Sequence, residues 1–282
     1  MRRALLLLLG LSLSSVASAS ASPSDLAFER TLDYRSGVLP IDGAASIRVI
    51  KGFRYLAAGD AQRVLEERWR TTRDPGVLAL VLPAGRRVTD ARAWGIVVRY
   101  DDAGHVDDAD ASTIDAARLL AAMQQSQAGL ARGTTIVGWA GVPPVYDAVR
   151  HRLSGARELA VPGRRLHRLE YETRSLGRSG AIGFEVVATL DELPAVRRQV
   201  GLLLGHTAFA KGERYADFNA STDRRANSGV AALIGGQAAA ATLEAAPGTD
   251  YGLLVKGGLV LVLIALAALV AVRRVRSGVV SR

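Results

Sequence analysis

Arg168 to Thr189 read RLEYETRSLGRSGAIGFEVVAT, and the alternation in this stretch decides the fold. Placing a turn at Gly177-Arg178-Ser179-Gly180 sets Leu169 opposite Ala188, Tyr171 opposite Val186 and Thr173 opposite Phe184. The apolar residues of both arms then share one face, as the two-residue period of a strand requires. The same register sets Glu172 against Glu185 on the other face, a repulsive pair unless Arg168 or Arg174 lies beside it. A glutamate pair held by arginines is either a site or, as is far commoner, a self-compensating sheet face. Pro162-Gly163 reads as the preceding turn, which makes 149–161 and 164–176 a second hairpin.

Further runs extend the pattern. Ala45 to Ile50, Val77 to Leu82 and Trp94 to Tyr100 are β-rich and bounded by turn formers. Ala61, Val64, Leu65 and Trp69 recur at helical spacing. Ser112 and Asp115 predict a capping box before a helix through Leu119, Leu120 and Met123. Asp191 is expected to cap another helix, with Pro194 in its first turn, apolar residues at Leu193, Val196, Val200 and Leu203, and Gly205 as its stop. A last helix is expected from about Asp223, burying Ala226, Val230, Leu233 and Ile234. The fold class is α+β: a mainly antiparallel sheet with packed helices, in an exported domain followed by one C-terminal transmembrane helix.

The ends of the chain carry the topology. Arg2 and Arg3 precede an apolar run from Ala4 to Leu13, and Ala17-x-Ala19 or Ala19-x-Ala21 suits signal peptidase. Leu253 to Val272 is long enough to cross a bilayer, with Lys256 able to reach the interface and Arg273, Arg274 and Arg276 as the basic cytoplasmic flank. The expected layout is a signal peptide at 1–21, an exported domain at 22–237, a stalk at 238–252, a span at 253–272 and a cytoplasmic tail at 273–282. That places the protein in the inner (cytoplasmic) membrane as a single-pass protein, its main domain periplasmic or extracytoplasmic, its C-terminus cytoplasmic and the bilayer one partner.

The chain has 36 basic and 27 acidic residues, a formal +9. Once the leader and the C-terminal basic residues are set aside, the exported part is left nearly balanced, so its basicity is no sign of nucleic-acid binding. It has no cysteine, so no disulfide, thiol chemistry or thiolate metal site is available. The four histidines, His105, His151, His167 and His206, form no helical metal-ligand pair. Asp101, Asp102, Asp107, Asp108 and Asp110 are dense enough to suggest a cation, but the spacing does not match a calcium loop, and turn and helix-start roles account for them. There is no nucleophile elbow and no phosphate loop, and no cofactor is implied.

Several longer motifs stand in a fixed order. They are Tyr100-x-x-x-Gly104-x-Val106, Gly138-Trp139-Ala140, Pro144-x-Tyr146-Asp147, Leu176-Gly177-Arg178-x-Gly180 and Gly212-x-x-Tyr215-Ala216-Asp217-Phe218. In order and spacing the chain resembles the domain-of-unknown-function 2167 family of bacterial membrane-anchored proteins over most of Tyr34 to Gly236. It departs from the family where Trp69 is followed by Arg70-Thr71-Thr72 rather than a Trp-Gly-Asn-Pro turn. The resemblance implies an exported domain with a C-terminal span and brings no known activity.

Two functional readings follow. In the first, the protein is a non-enzymatic envelope-interaction module, with Trp139, Pro143, Pro144 and Tyr146 in an exposed docking loop, joined by Asp147 and Arg178, and an envelope protein as partner. In the alternative, it is an envelope hydrolase using Glu172, Glu185, Asp147 or Asp217 with Arg178, which needs two carboxylates facing each other in a cleft, one with a raised pKa.

Overall fold

The computed structural model describes residues 22–234 apart from 72, 91, 127–129, 131 and 132. In chain order the elements are α1 (Pro23–Glu29), β1 (Gly37–Ile41), β2 (Ala45–Val49), β3 (Phe53–Ala57), α2 (Ala58–Arg63, continued by a π turn Val64–Arg68), β4 (Val77–Pro83), β5 (Ile96–Asp101), α3 (Ala116–Ser126), β6 (Thr135–Asp147), β7 (Arg152–Ala160), β8 (Arg168–Leu176), β9 (Ala181–Thr189), α4 (Leu193–Gly205) and β10 (Thr207–Phe209). The strands form a seven-stranded antiparallel sheet in the order β3-β4-β5-β9-β8-β7-β6 and a three-stranded sheet β1-β2-β10. The protein is thus an α+β fold of antiparallel sheets with few helices.

The β8–β9 register is the one expected: Tyr171 pairs with Val186, Thr173 with Phe184 and Glu172 with Glu185. Tyr171, Phe184, Val186, Ile96 and Val98 share one face of the large sheet, covered by α4 through Val196, Val200 and Leu203 and by the small sheet through Ile41 and Ile47. Each fully buried Ile, Leu or Phe there is worth about 1.5–3 kcal/mol relative to exposure, which is how a cysteine-free domain holds together. On the opposite face, α1, α2 and the π turn cover β3–β5 with Phe28, Val64, Leu80 and Leu82. At the other flank, α3 packs Leu119 and Met123 on Ile136 and Leu159, while Val230 and Ile234 lie on Leu153 and Leu176. Between these two apolar covers the middle strands present charge.

Four expectations are corrected. The capping box fails because Ser112 lies in a separate 3-10 turn, and Asp115 caps α3 alone, accepting from the N–H groups of Ala117 and Arg118. Asp191 does not cap α4. It pairs with Arg92, and a 3-10 turn, Leu190–Glu192, leads into the helix. No helix begins at Asp223. Arg224 to Ala226 run extended because they bond to the His105 backbone (His105 N–H to Arg224 O and Ala226 N–H to His105 O, both 2.8 Å), and helical residues begin only at Ala232. Finally, Trp139 to Tyr146 are not a loop but lie within β6, the edge strand, whose register against β7 shifts three times, the last time across Pro143 and Pro144. Proline cannot donate to a ladder, so it is tolerated where a strand borders solvent.

Among the described residues no helix is long and apolar enough to cross a membrane. The expected leader, the stalk, the span from Leu253 to Val272 with Lys256, and the tail with Arg273, Arg274 and Arg276 lie outside the described residues.

Candidate functional site

The strand ends define two poles of the large sheet. At one pole, the β6–β7 hairpin, the β8–β9 turn, the segment after β5 and the strap 212–226 converge. Four of the five ordered motifs therefore meet in space. Tyr146 donates from its hydroxyl to Asp108 Oδ2 at 2.6 Å. His151 Nδ1 lies 3.3 Å from the same oxygen and 3.3 Å from the Tyr146 hydroxyl. The His151 ring stacks on Tyr215 at 4.0 Å, and Tyr215 in turn meets His105, which stacks on Phe218 at 3.8 Å. The Tyr215 hydroxyl donates to Val106 O.

Local backbone sets up this group. His151 closes the hairpin in the left-handed region, φ 46°, a conformation that costs an L-residue about 1–2 kcal/mol. Asp147 shapes the same turn, accepting from Val149 and Arg150 N–H and pairing with the Arg150 side chain. Gly104, at φ +101°, lets the chain before His105 pass against the strap. Arg178 ties that strap down, donating to both Asp223 oxygens at 2.7 and 2.8 Å and to Gly212 O at 3.0 Å.

Burial would raise the Asp108 carboxyl, but the polar groups of Tyr146, Tyr215 and His151 around it outweigh that effect and hold the group below the usual carboxylate range. Burial and the Asp108 charge push both phenols up, so Tyr146 and Tyr215 stay protonated donors. His151 turns Nδ1 toward Asp108 and leaves Nε2 with no hydrogen-bond partner among the described residues. The arrangement leaves that nitrogen open to a hydrogen bond from outside the cluster. His105 differs: it is 6% exposed, its Nδ1 has no partner, and burial lowers its pKa.

The sign of the His105 effect is definite. A depressed folded pKa means that the unfolded chain binds the proton first, so stability present above about pH 6.5 drains away as pH falls below that value. His105→Phe, which keeps a ring between Tyr215 and Phe218, is expected to flatten the fall of thermal midpoint between neutral and mildly acidic pH. An unchanged slope would assign that acid sensitivity to other groups.

Of the residues singled out in the sequence, Tyr146, Asp147 and Arg178 lie at this pole. Trp139 is half-buried farther along β6, where its indole N–H donates to Ala116 O at 2.9 Å and seats α3. Pro143 is exposed, and Pro144 lies beside Ile234 and Gly155. The aspartates diverge: Asp102 goes to Arg224, Asp107 to Arg225, and Asp110 accepts from Val230 N–H. Among the described residues no three His, Asp or Glu side chains converge as a metal-ligand set. The sequence brings up His105, His151 and Asp108 only as possible metal ligands and Tyr215 only within a motif, because nothing local joins positions so far apart in the chain. The ordered motifs, each with a Tyr, Asp or Gly at a fixed offset, were the one signal that these segments share a neighbourhood.

The proposed hydrolytic carboxylates are dispersed. Glu172 and Glu185 lie in a ladder across the charged face, where Arg174 bonds to both and Arg99 joins Glu185 to Asp74. Arg157 and Arg168 bracket Glu170 in the same row. Asp217 is folded back onto Gly212 and Arg214 N–H. Arg178 touches neither glutamate pair.

Fold and site together define a class: an antiparallel α+β domain without metal-binding or disulfide frameworks among its described residues, with a polar-aromatic cluster at one pole of its main sheet. The chain belongs to the family described as "Protein of unknown function (DUF2167)", whose model matches residues 33–272. No curated protein matches it. Among solved structures it is similar to the solution structure of cyanobacterial PsbP (CyanoP) from Synechocystis sp. PCC 6803, at 10% identity and a TM-score of 0.38, over 64% of this chain and 92% of that one.

Proposed function

We propose that the protein is a non-enzymatic binding module of the cell envelope, a single-pass inner-membrane protein with a leader at 1–21, a periplasmic domain at 22–237, a stalk at 238–252, a span at 253–272 and a cytoplasmic tail at 273–282. The observation that carries the binding reading is the state of the carboxylates. Glu172 and Glu185 face each other, as the hydrolase reading needs, but a single arginine fills the space between them. Asp147 and Asp217 are spent on their own turns. A general acid and a nucleophile both need a free oxygen directed at substrate. Docking needs only a stable surface, and the bulged β6 edge with exposed Pro143 and Val145 offers one. The topology rests on the apolar and basic patterning of the two ends.

The natural absence of cysteine makes the test clean. Val149→Cys, at the exposed hairpin tip, should react with a membrane-impermeant maleimide in spheroplasts, and Ser281→Cys only after lysis; the reverse pattern would invert the topology. A photo-cross-linking residue at Pro143 in the same full-length chain should capture one envelope protein, and Val145→Asp should abolish the capture. Capture of nothing above background would remove the docking reading.

A further inference from the structure

The two poles of the large sheet differ in charge. The aspartates from 101 to 110 belong to the pole already described. The opposite pole is built from the β2–β3 turn, the β4–β5 loop, the β7–β8 hairpin and the entry to α4. These are held together by backbone bonds, Ala84 N–H to Gly52 O at 2.8 Å and Leu190 N–H to His167 O at 3.1 Å. The carboxylates of those loops are already engaged: Asp90 by Arg87, Asp191 by Arg92 and Glu192 by Arg86. Lys51, Arg164 and Arg165 are left over. All three are exposed, and their side chains make no ion pair among the described residues. Next to Arg164 and Arg165, at the tip of the β7–β8 hairpin, Leu166 is 57% exposed. An apolar residue flanked by unpaired guanidinium groups on a projecting hairpin suits a surface with anionic headgroups over an apolar interior.

We propose that this basic pole docks on the anionic lipid bilayer to which the chain is tethered, Leu166 entering the headgroup layer and Lys51, Arg164 and Arg165 meeting lipid phosphates. The inference rests on the membrane anchor proposed above. Reach favours this occupant. Ile234, the last described residue, packs near the acidic pole, and strands of nine residues separate the poles by about 30 Å. The stretch from Ile234 to the expected span at Leu253 can extend to about 60 Å, enough for the domain to turn its far pole onto the membrane. The tether keeps that membrane permanently at high effective concentration. Three unpaired cations near an anionic surface bias the orientation on the order of 100-fold at modest ionic strength, and salt screens the effect.

The test uses the full-length chain reconstituted in vesicles of equal parts phosphatidylglycerol and phosphatidylcholine, or of phosphatidylcholine alone. An environment-sensitive fluorophore is placed at Leu166→Cys or, as the opposite-pole control, at Val149→Cys, and nitroxide-bearing lipids serve as quenchers. The expected result is quenching at 166 several-fold above that at 149 in anionic vesicles, lost in high salt, in neutral vesicles and in the Arg164→Glu/Arg165→Glu variant. Chain that floats with the vesicles but shows no excess quenching at 166 overturns the docking alone. A response at 166 to soluble polyphosphate but not to anionic vesicles also overturns it, in favour of a soluble polyanion. Chain that fails to float after a carbonate wash overturns the anchor, and the docking with it.

Discussion

Replacing Arg174 by methionine is expected to lower folding stability by about 3–5 kcal/mol at neutral pH, the usual cost of removing one partner from a largely buried ion network. Arg174 reaches across the middle of the sheet to Glu172 on its own strand and Glu185 on the next, and Gly183 opposite leaves room for its guanidinium. Its side chain is 16% exposed and that of Glu172 13%. Without it, two carboxylates face each other over a low-dielectric floor. Burial already pushes the Glu172 carboxyl up against the pull of Arg174, and the Glu185 charge adds to the rise. An acid whose folded pKa is raised binds its proton more tightly in the folded state, so its contribution is present at low pH and lost as pH rises through the folded value. Removing the arginine widens that gap. The deficit of the variant should therefore shrink as pH falls from neutral toward the mildly acidic range. Urea denaturation of variant and parent at both values checks this, and an equal deficit at both would mean that the ladder is held by packing rather than charge.

Gly104→Ala is expected to cost about 3 kcal/mol or more, since it combines a strained backbone with a clash that nothing can relieve cheaply. The residue sits at φ +101°, and a Cβ there would lie 2.8 Å from Arg224 O and from Arg225 C, both backbone atoms. The strap would have to lift from His105, giving up the two 2.8 Å backbone bonds that replace the expected helix. Limited proteolysis should then cut the variant between Gly212 and Arg225 well before the parent. Parent-like resistance with unchanged stability would show that the strap accommodates the methyl group by shifting.

The register of β8 against β9 was legible because a two-residue period and one turn leave a single arrangement that puts Leu169, Tyr171, Phe184 and Val186 on one face. The burial of Val230 and Ile234 was legible too, but not the backbone that carries them. A run of spaced apolar residues reads as a helix when helical spacing is all there is to see, whereas here the backbone bonds of Arg224 and Ala226 go to His105, a partner more than a hundred positions away. Trp139 and Tyr146 read as an exposed loop because two prolines follow Trp139 and Gly141. The structure uses those prolines to blunt an edge strand, which no local pattern separates from a loop.

The sequence by itself determined the fold class, the hairpin register, the family motifs and the expected leader and span, all set by local periodicity, composition and turn chemistry that act within about ten to twenty residues. Only the tertiary structure decided that Asp108, Tyr146, His151 and Tyr215 form one group, that Arg174 rather than Arg168 holds the glutamate pair, and that Lys51, Arg164 and Arg165 lie together at the pole opposite the strap. These are contacts between segments far apart in the chain. Their closeness depends on how seven strands are ordered in a sheet, and no short stretch of residues encodes that order.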